Sequence, residues 1–531
     1  MNRDPASVTT TPALIARLLA AEAYPHPVQD PTCVETHISW VLLTGAYAYK
    51  IKKPVSLGFL DFSTLPLRHA ACLEELRLNK RLAPQLYVDV VPIVGPVERA
   101  KVLGTGEPVE YAVRMHEFAQ ANQLDRLLEA GRLSEDDIDR AAQRVARFHS
   151  ETACVDLDSE YGTSAAIRHP VEEVLGTLRT LLTSAPQLAA LEMLASWTRS
   201  RYNTLESTFA ARRREGFVRE CHGDLHLGNL ARIGEDVVPF DCIEFSAELR
   251  WIDVICDIAF LMMDLLFRDR GGLAFRLIDG YLQARGDFAG MAVLRYYLVY
   301  RALVRSMVAL LRRKQLTGQG KAEATAAGDA EAHLHLAQQL ASPRPPVLFL
   351  MHGLSGSGKT RVSGHLMERW PALRVRSDVE RKRLLGLAAD QTTGSAIGAG
   401  AYSEDLNEAT YQRLLEAAAT SMDAGFSMIV DAANLRHAQR ERFRALAAAH
   451  GVRMLIVSCA APEEELRRRL RERSARGTDA SEANESVLDE QLLRAEPLDA
   501  AELAEAVVAG PDAVDNAEAF LARVTAHLHQ A

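Results

Sequence analysis

Val347-Leu-Phe-Leu-Met351 runs through His352 into Gly353-Leu354-Ser355-Gly356-Ser357-Gly358-Lys359-Thr360. The unbroken apolar run predicts a short strand buried on both faces, as in a parallel sheet. The following residues fit G-x-x-x-x-G-K-[ST], and a helix is predicted from Lys359. These residue types answer the needs of a triphosphate. Gly353, Gly356 and Gly358 let the backbone approach closely, so that N–H groups of the loop, including those of Leu354, Ser355 and Ser357, converge on phosphate oxygens. The helix N-terminus adds partial positive charge. Lys359 reaches toward the β- and γ-phosphates, and Thr360 offers its hydroxyl to Mg2+. The run from Gly353 to Thr360 is therefore expected to bind ATP, with Lys359 catalytic.

Downstream, apolar runs alternate with helical patterns. Strands are predicted at 373–376, 428–431 and 453–458, and helices at 438–450 and 463–474. Such alternation implies an α/β domain with a parallel sheet. Asp378 follows the second strand and is placed to take a proton from an acceptor hydroxyl. Arg381, one turn on, is placed to hold the acceptor. Asp431 ends the third strand, in position for cation or acceptor contact. Arg469 and Arg473 are four apart on a basic helix and suit a lid over the triphosphate. The loop, the Asp378-x-x-Arg381 pattern, Val430-Asp-Ala-Ala-Asn-Leu435 and the Arg-rich helix together resemble the P-loop kinases of polynucleotide-kinase/zeta-toxin type, over most of 347–500. Ala433 stands where that group carries Thr. The resemblance implies that Asp378 is the general base and that Arg381 binds the acceptor.

Upstream of the strand lies Ser342-Pro-Arg-Pro-Pro346, a seam that no helix can cross. Before it, 37–43 and 46–52 read as strands joined by Thr44-Gly45, 68–83 as a helix, and 88–94 and 111–118 as strands. The remainder reads as mostly helical. In Cys221-His222-Gly223-Asp224-Leu-His226-Leu-Gly-Asn229, an Asp and an Asn stand five apart, and Asp241 follows behind an apolar run. Asp224 would accept the hydroxyl proton, while Asn229 and Asp241 would hold Mg2+ through oxygen. This layout resembles the catalytic loop and metal-binding Asp of the aminoglycoside-phosphotransferase branch of the protein-kinase-like fold, over about 30–310. Asp257-Ile-Ala-Phe260 and Arg147-Phe-His149 fall where that branch carries further elements. By strand alternation Lys50 and Lys52 face one side, and one of them is expected to meet the α/β-phosphates. Glu74 or Glu75, on the next helix, would pair with that lysine; Glu74 is the favoured partner.

The resulting expectation is an α+β bilobal protein-kinase-like domain followed by an α/β P-loop domain with a parallel sheet. The first spans 1–340, with a small lobe at about 30–118 and a helical lobe at about 119–340; the second spans 346–531. The chain has 531 residues, and its hydrophobic share of 48% with 25% charged is that of a folded globular protein. A net charge of −9 withholds the overall basic footprint of a nucleic-acid binder. Seven cysteines without a CxxC pair speak for reduced thiols in the cytoplasm. MNRDPASVTT lacks the pattern of a secretory leader, and no run is apolar enough for a membrane span. The functional expectation is an ATP- and Mg2+-dependent phosphotransferase with two nucleotide sites and small hydroxyl acceptors of unknown identity. Two alternatives stand beside it. One is a kinase domain regulated by a nucleotide-sensing partner domain; the other, ranked last, is a kinase for nucleic-acid 5′-hydroxyls. Oligomeric state leaves no trace in the sequence.

Overall fold

The computed structural model describes residues 12–57, 60–389, 391, 404–476, 481–510, 513 and 516–529. The N-terminal residues inspected for a leader lie outside the described residues. By contacts the chain groups into two compact units, 1–137 with 219–252, and 138–218 with 253–531.

The first unit is built on a six-stranded antiparallel sheet. Its order is Thr32–Glu35, Ser39–Leu43, Tyr47–Lys52, Pro108–His116, Tyr87–Val94, Lys101–Val102. Gly45 sits at φ +88° in the turn between the second and third strands, where a left-handed residue is needed. Strand alternation divides Tyr47–Lys52 cleanly. Tyr49 and Ile51 enter a core with Leu42, Val91, Ile93 and Ala112. Lys50 and Lys52 therefore point to the other face, toward the helix Leu65–Asn79 that packs across Pro108–His116 and Tyr87–Val94. A hairpin of Leu230–Ile233 and Asp236–Pro239 delivers the chain to Asp241.

The second unit combines helices with a parallel sheet. The helices include Glu135–Glu151, Ser164–Leu181, Ala185–Arg214, Val254–Phe267, Gly271–Arg285, Met291–Gln315 and Lys321–Ala341. Val254–Phe267 is buried along nearly its whole length. Its start is fixed by Asp253, whose side chain accepts from the Ile255 N–H and also pairs with the buried Arg212. Arg212 is shared with Asp287, so one guanidinium joins three segments.

The sheet has five strands in the order Ala372–Arg376, Ser427–Asp431, Val347–His352, Arg453–Cys459, Ala506–Ala509, all parallel. The apolar run quoted first is its central strand, with Leu348 to Met351 fully buried. The fifth strand, Ala506–Ala509, is an addition to the sequence reading; its four residues are small and lie in an alanine-rich tract that reads as helix. In this order the connection leaving Val347–His352 runs to Ala372–Arg376 on one side, while the one leaving its neighbour Arg453–Cys459 runs to Ala506–Ala509 on the other. The loop after Val347–His352 thus opens at a topological switch point, where such sheets bind ligands. Among the described residues no helix is long and apolar enough to cross a membrane. None of the seven cysteines is joined in a disulfide among the described residues.

Candidate functional site

In the second unit the loop from Gly353 to Gly358 turns with φ of +140° at Gly353, +84° at Gly356 and +92° at Gly358. A Cβ at Gly353 would stand 2.2 Å from the Cys459 carbonyl oxygen, and one at Gly356 would stand 2.9 Å from that of Leu466. Glycine is required there by conformation and by space. Helix Lys359–Arg369 starts directly after the loop. Lys359 donates to the Leu354 carbonyl at 2.9 Å, curling over the loop. Burial lowers its pKa; Asp431 and Asp378 nearby act in the opposite direction. The Ser355 N–H donates to Gln491 Oε1 at 2.8 Å.

The carboxylates converge on this lysine. Asp431 is buried at the end of its strand and accepts from Ser363 Oγ at 3.1 Å. Asp378, in the first turn of Ser377–Leu384, accepts from Arg381 Nη1 at 3.2 Å. Burial would raise the Asp378 pKa, but Arg381, Arg376, a hydrogen bond from Ser481 and Lys359 outweigh it and hold the carboxyl below the usual range. Asp378 is thus ionised at neutral pH. Arg469 reaches the Gly356 carbonyl at 3.4 Å and pairs with Glu465; Arg473 lies in the field of Lys359 and donates to the Ala483 carbonyl at 2.5 Å. The other arginines of the helix are spent on acids: Arg467 on Glu463 and Asp489, Arg468 on Glu465 and Glu472, Arg471 on Glu485. The side chain of Arg476 lies outside the described residues.

The second constellation belongs to the first unit. His222 holds the loop from within. Its Nε2 lies 2.8 Å from the Phe240 carbonyl, and its Nδ1 lies 3.3 Å from the Asp224 N–H. Asn229 donates through Nδ2 to the Asp224 carbonyl at 3.0 Å and to Asp224 Oδ2 at 3.2 Å, which leaves its Oδ1 turned away as an acceptor. His226 Nε2 stands 3.4 Å from Asp224 Oδ2 while its Nδ1 accepts from the Gly228 N–H, so these imidazoles order the loop. Phe240 N–H bonds the Asn229 carbonyl at 2.9 Å and brings Asp241 alongside. Asp241 is held at φ +66°, a left-handed backbone that costs a non-glycine residue about 1 kcal/mol or more.

Lys50 binds Glu75 at 2.9 Å and also Asp241; Lys52 binds Glu75 and Glu244. Burial would strip Lys50 of its proton, but Asp241, Glu75 and Glu244 more than reverse this, and its pKa is raised well above the ordinary value. Glu75 is held low because Lys50 and Lys52 outweigh its burial. The expectation for Glu74 is corrected here. Successive helical residues point about 100° apart, so only one of the two glutamates faces the sheet. That residue is Glu75, fully buried; Glu74 turns to Arg77 at 2.8 Å and Arg250 at 2.7 Å. Lys52 is enclosed with no exposed surface, whereas Lys50 adjoins Asp241, whose side chain is 41% exposed. The open lysine is therefore Lys50. Glu244 and Ser363 were not singled out by the sequence, although each lies three residues from a predicted one, Asp241 and Thr360. His149 Nε2 meets Asp257 at 3.1 Å in the second unit, and burial lowers the His149 pKa.

Two family models match the chain. Residues 59–297 match a phosphotransferase enzyme family, and residues 348–498 match an AAA domain. The uncharacterized protein Rv2004c of Mycobacterium tuberculosis is 32% identical over 462 residues, covering 86% of this chain and 89% of that protein; the uncharacterized protein Mb2027c of Mycobacterium bovis gives the same figures. Among solved structures, a choline/ethanolamine kinase family protein from Mesorhizobium loti is 14% identical with a TM-score of 0.38, covering 61% of this chain and 98% of its own. A gluconokinase from Sinorhizobium meliloti is 21% identical with a TM-score of 0.26, covering 35% of this chain and 98% of its own.

Proposed function

The chain belongs to the family of the mycobacterial protein Rv2004c and is an ATP-dependent phosphotransferase joined to a second nucleotide-binding domain, and from that premise we propose that both nucleotide sites are catalytic. Each would pass the γ-phosphoryl group of ATP to a small hydroxyl acceptor. The observation that carries the proposal is the same charge pattern at two unrelated sites. Each has a lysine flanked by carboxylates, Lys50 beside Asp241 and Glu75, and Lys359 beside Asp431 and Asp378. Each also has a carboxylate that would take the acceptor's proton, Asp224 in one and Asp378 in the other.

The donor sets suit Mg2+, a hard cation that takes oxygen ligands. Asn229 Oδ1 and Asp241 would hold it in the first unit, and the Thr360 hydroxyl with Asp431 in the second. The ion would neutralise charge on the phosphates. The rest falls to the chain. Lys50 and Lys359 draw the phosphates, and the glycine-bounded loop supplies N–H groups. Asp224 and Asp378 accept the acceptor's hydroxyl proton as the oxygen attacks. Arg381, already on Asp378, orients the acceptor, and Arg469 and Arg473 close over the transferring group. Asp378 with Arg381 supports the finer reading of the 346–531 domain as a P-loop kinase of polynucleotide-kinase/zeta-toxin type. The pairing of the basic helix with its own acids favours a small acceptor over a polynucleotide end.

The test uses the full chain and radiolabelled ATP against sugars, amino alcohols, nucleosides and 5′-hydroxyl oligonucleotides. Lys359→Ala is expected to abolish one transfer activity and Asp224→Ala the other. Loss of both activities in either single variant would contradict two independent catalytic sites. Nucleotide binding without turnover at one site would mark that domain as a sensor.

A further inference from the structure

Helix Gly271–Arg285 serves two neighbourhoods of the second unit. One face, with Leu277, Ile278, Tyr281 and Leu282, is buried among the helices. There Tyr281 Oη meets His149 Nδ1 at 2.9 Å. The other face carries Gly272, Arg276, Asp279, Gln283 and Gly286, spaced by four and three as one helical stripe. Every member meets the elements around the phosphate loop. A Cβ at Gly272 would stand 2.7 Å from the Glu368 carbonyl oxygen, and one at Gly286 would stand 2.4 Å from the Arg383 side chain. Arg276 Nη1 donates to Glu368 at 2.7 Å, and Gln283 Nε2 to the Arg374 carbonyl at 3.2 Å.

Asp279 is the centre of this stripe. It accepts two bonds from Arg374, from Nη2 at 2.6 Å and Nε at 3.2 Å, with both side chains buried. Arg374 then spends Nη1 on the Thr360 carbonyl at 3.2 Å and on Ser363 Oγ at 3.1 Å. Ser363 is fully buried and has one hydroxyl hydrogen. Its Oγ lies 3.0 Å from the Thr360 carbonyl and 3.1 Å from Asp431 Oδ2. Arg374 already serves that carbonyl, and a carboxylate is the stronger acceptor, so the hydrogen goes to Asp431. A chain of hydrogen bonds thus runs from Asp279 through Arg374 and Ser363 to Asp431, holding Thr360 on the way. An adhesive ion pair would need only Asp279 and Arg374. Of the two further bonds of Arg374, one ends on Thr360 and the other on Ser363, which holds Asp431; Thr360 and Asp431 are the residues assigned to the cation.

We propose that Asp279, Arg374 and Ser363 are positioning residues of the phosphate-loop site, fixing the Thr360 turn and the Asp431 carboxylate for the cation of an Mg2+·nucleotide. This rests on the reading of that loop as an Mg2+·ATP site. It places a residue of the kinase-like half of the sequence in support of the P-loop site.

The test titrates Mg2+ into the full-length protein with a fluorescent ATP analogue, taking as signal the part of binding lost in Lys359→Ala. Ser363→Ala and Asp279→Asn are each expected to raise the Mg2+ concentration for half-saturation about ten-fold, the usual scale for residues supporting a metal's ligands. Nucleotide binding without Mg2+ should stay within about two-fold. The double variant should be no worse than the poorer single one, because the residues act in series. Ser363→Ala removes a single oxygen and keeps the test open if Asp279→Asn fails to fold. An unchanged Mg2+ requirement in Ser363→Ala, or additive shifts, would overturn the positioning role and leave the nucleotide site standing. Absence of Lys359-dependent binding in the unmodified chain would overturn the site itself, and this proposal with it.

Discussion

Two buried lysines on one strand face need a counter-charge, and Glu75 supplies it to both. Glu75→Gln is expected to lower stability by about 3–5 kcal/mol, the range for breaking a buried ion pair, and to abolish transfer at the Asp224 site. Glu74→Gln should change stability by under about 1 kcal/mol, because its partners Arg77 and Arg250 also pair with Glu220. Thermal unfolding and transfer rates, measured on both variants, check this. The sequence brought both glutamates to the right helix and could not choose between neighbours, because helix phase depends on how the helix docks. By contrast the glycines of the phosphate loop were fully legible, since their spacing encodes a conformation other residues do not adopt. Gly356→Ala meets φ +84° and a carbonyl oxygen at 2.9 Å. It should weaken Lys359-dependent nucleotide binding at least about ten-fold, from roughly 1–2 kcal/mol of backbone strain with the added contact, as read by titration.

Strands and helices with strong periodicity were legible within a few residues. Ala372–Arg376, Ser427–Asp431 and Arg453–Cys459 all fall where apolar runs predict them. Thr32–Glu35 and Ala506–Ala509 were not: the first is an edge strand of little apolar content, and the second lies in an alanine-rich tract that reads as helix. The long helix Lys321–Ala341 packs along Met291–Gln315. At their contact with the core, His333 stacks on Phe267 with ring centroids 3.6 Å apart, and burial pushes its pKa down to about 4. An imidazole free in the unfolded chain titrates near about 6.5. The folded state therefore binds fewer protons between these values, and stability is full above pH 6.5 and falls as the pH drops toward 4. The slope from this one residue approaches about 1.4 kcal/mol per pH unit. His333→Phe should flatten that limb in denaturant-unfolding curves recorded from pH 7 to 5; an unaltered slope would count against a buried neutral imidazole.

At the scale of the molecule, the chemistry was read from short motifs, while the support for it was not. Ser363, Arg374, Asp279 and Glu244 carry no motif; they matter because folding brings distant segments together, Asp279 and Arg374 being 95 positions apart. The basic helix Glu463–Arg476 carries its own counter-charges, so transfer to a 5′-hydroxyl oligonucleotide should be weaker than to a small alcohol and should lose little with added salt, the opposite of a phosphate-tracking surface. Central to this picture are two separate catalytic centres in one chain. Their most direct test is γ-phosphoryl transfer by the full-length protein, measured for the unmodified chain, Asp224→Ala, Lys359→Ala and the double variant across one acceptor panel. Two transfer activities, each removed by one single variant and both by the double, are predicted; a single activity lost in both single variants would contradict two independent centres.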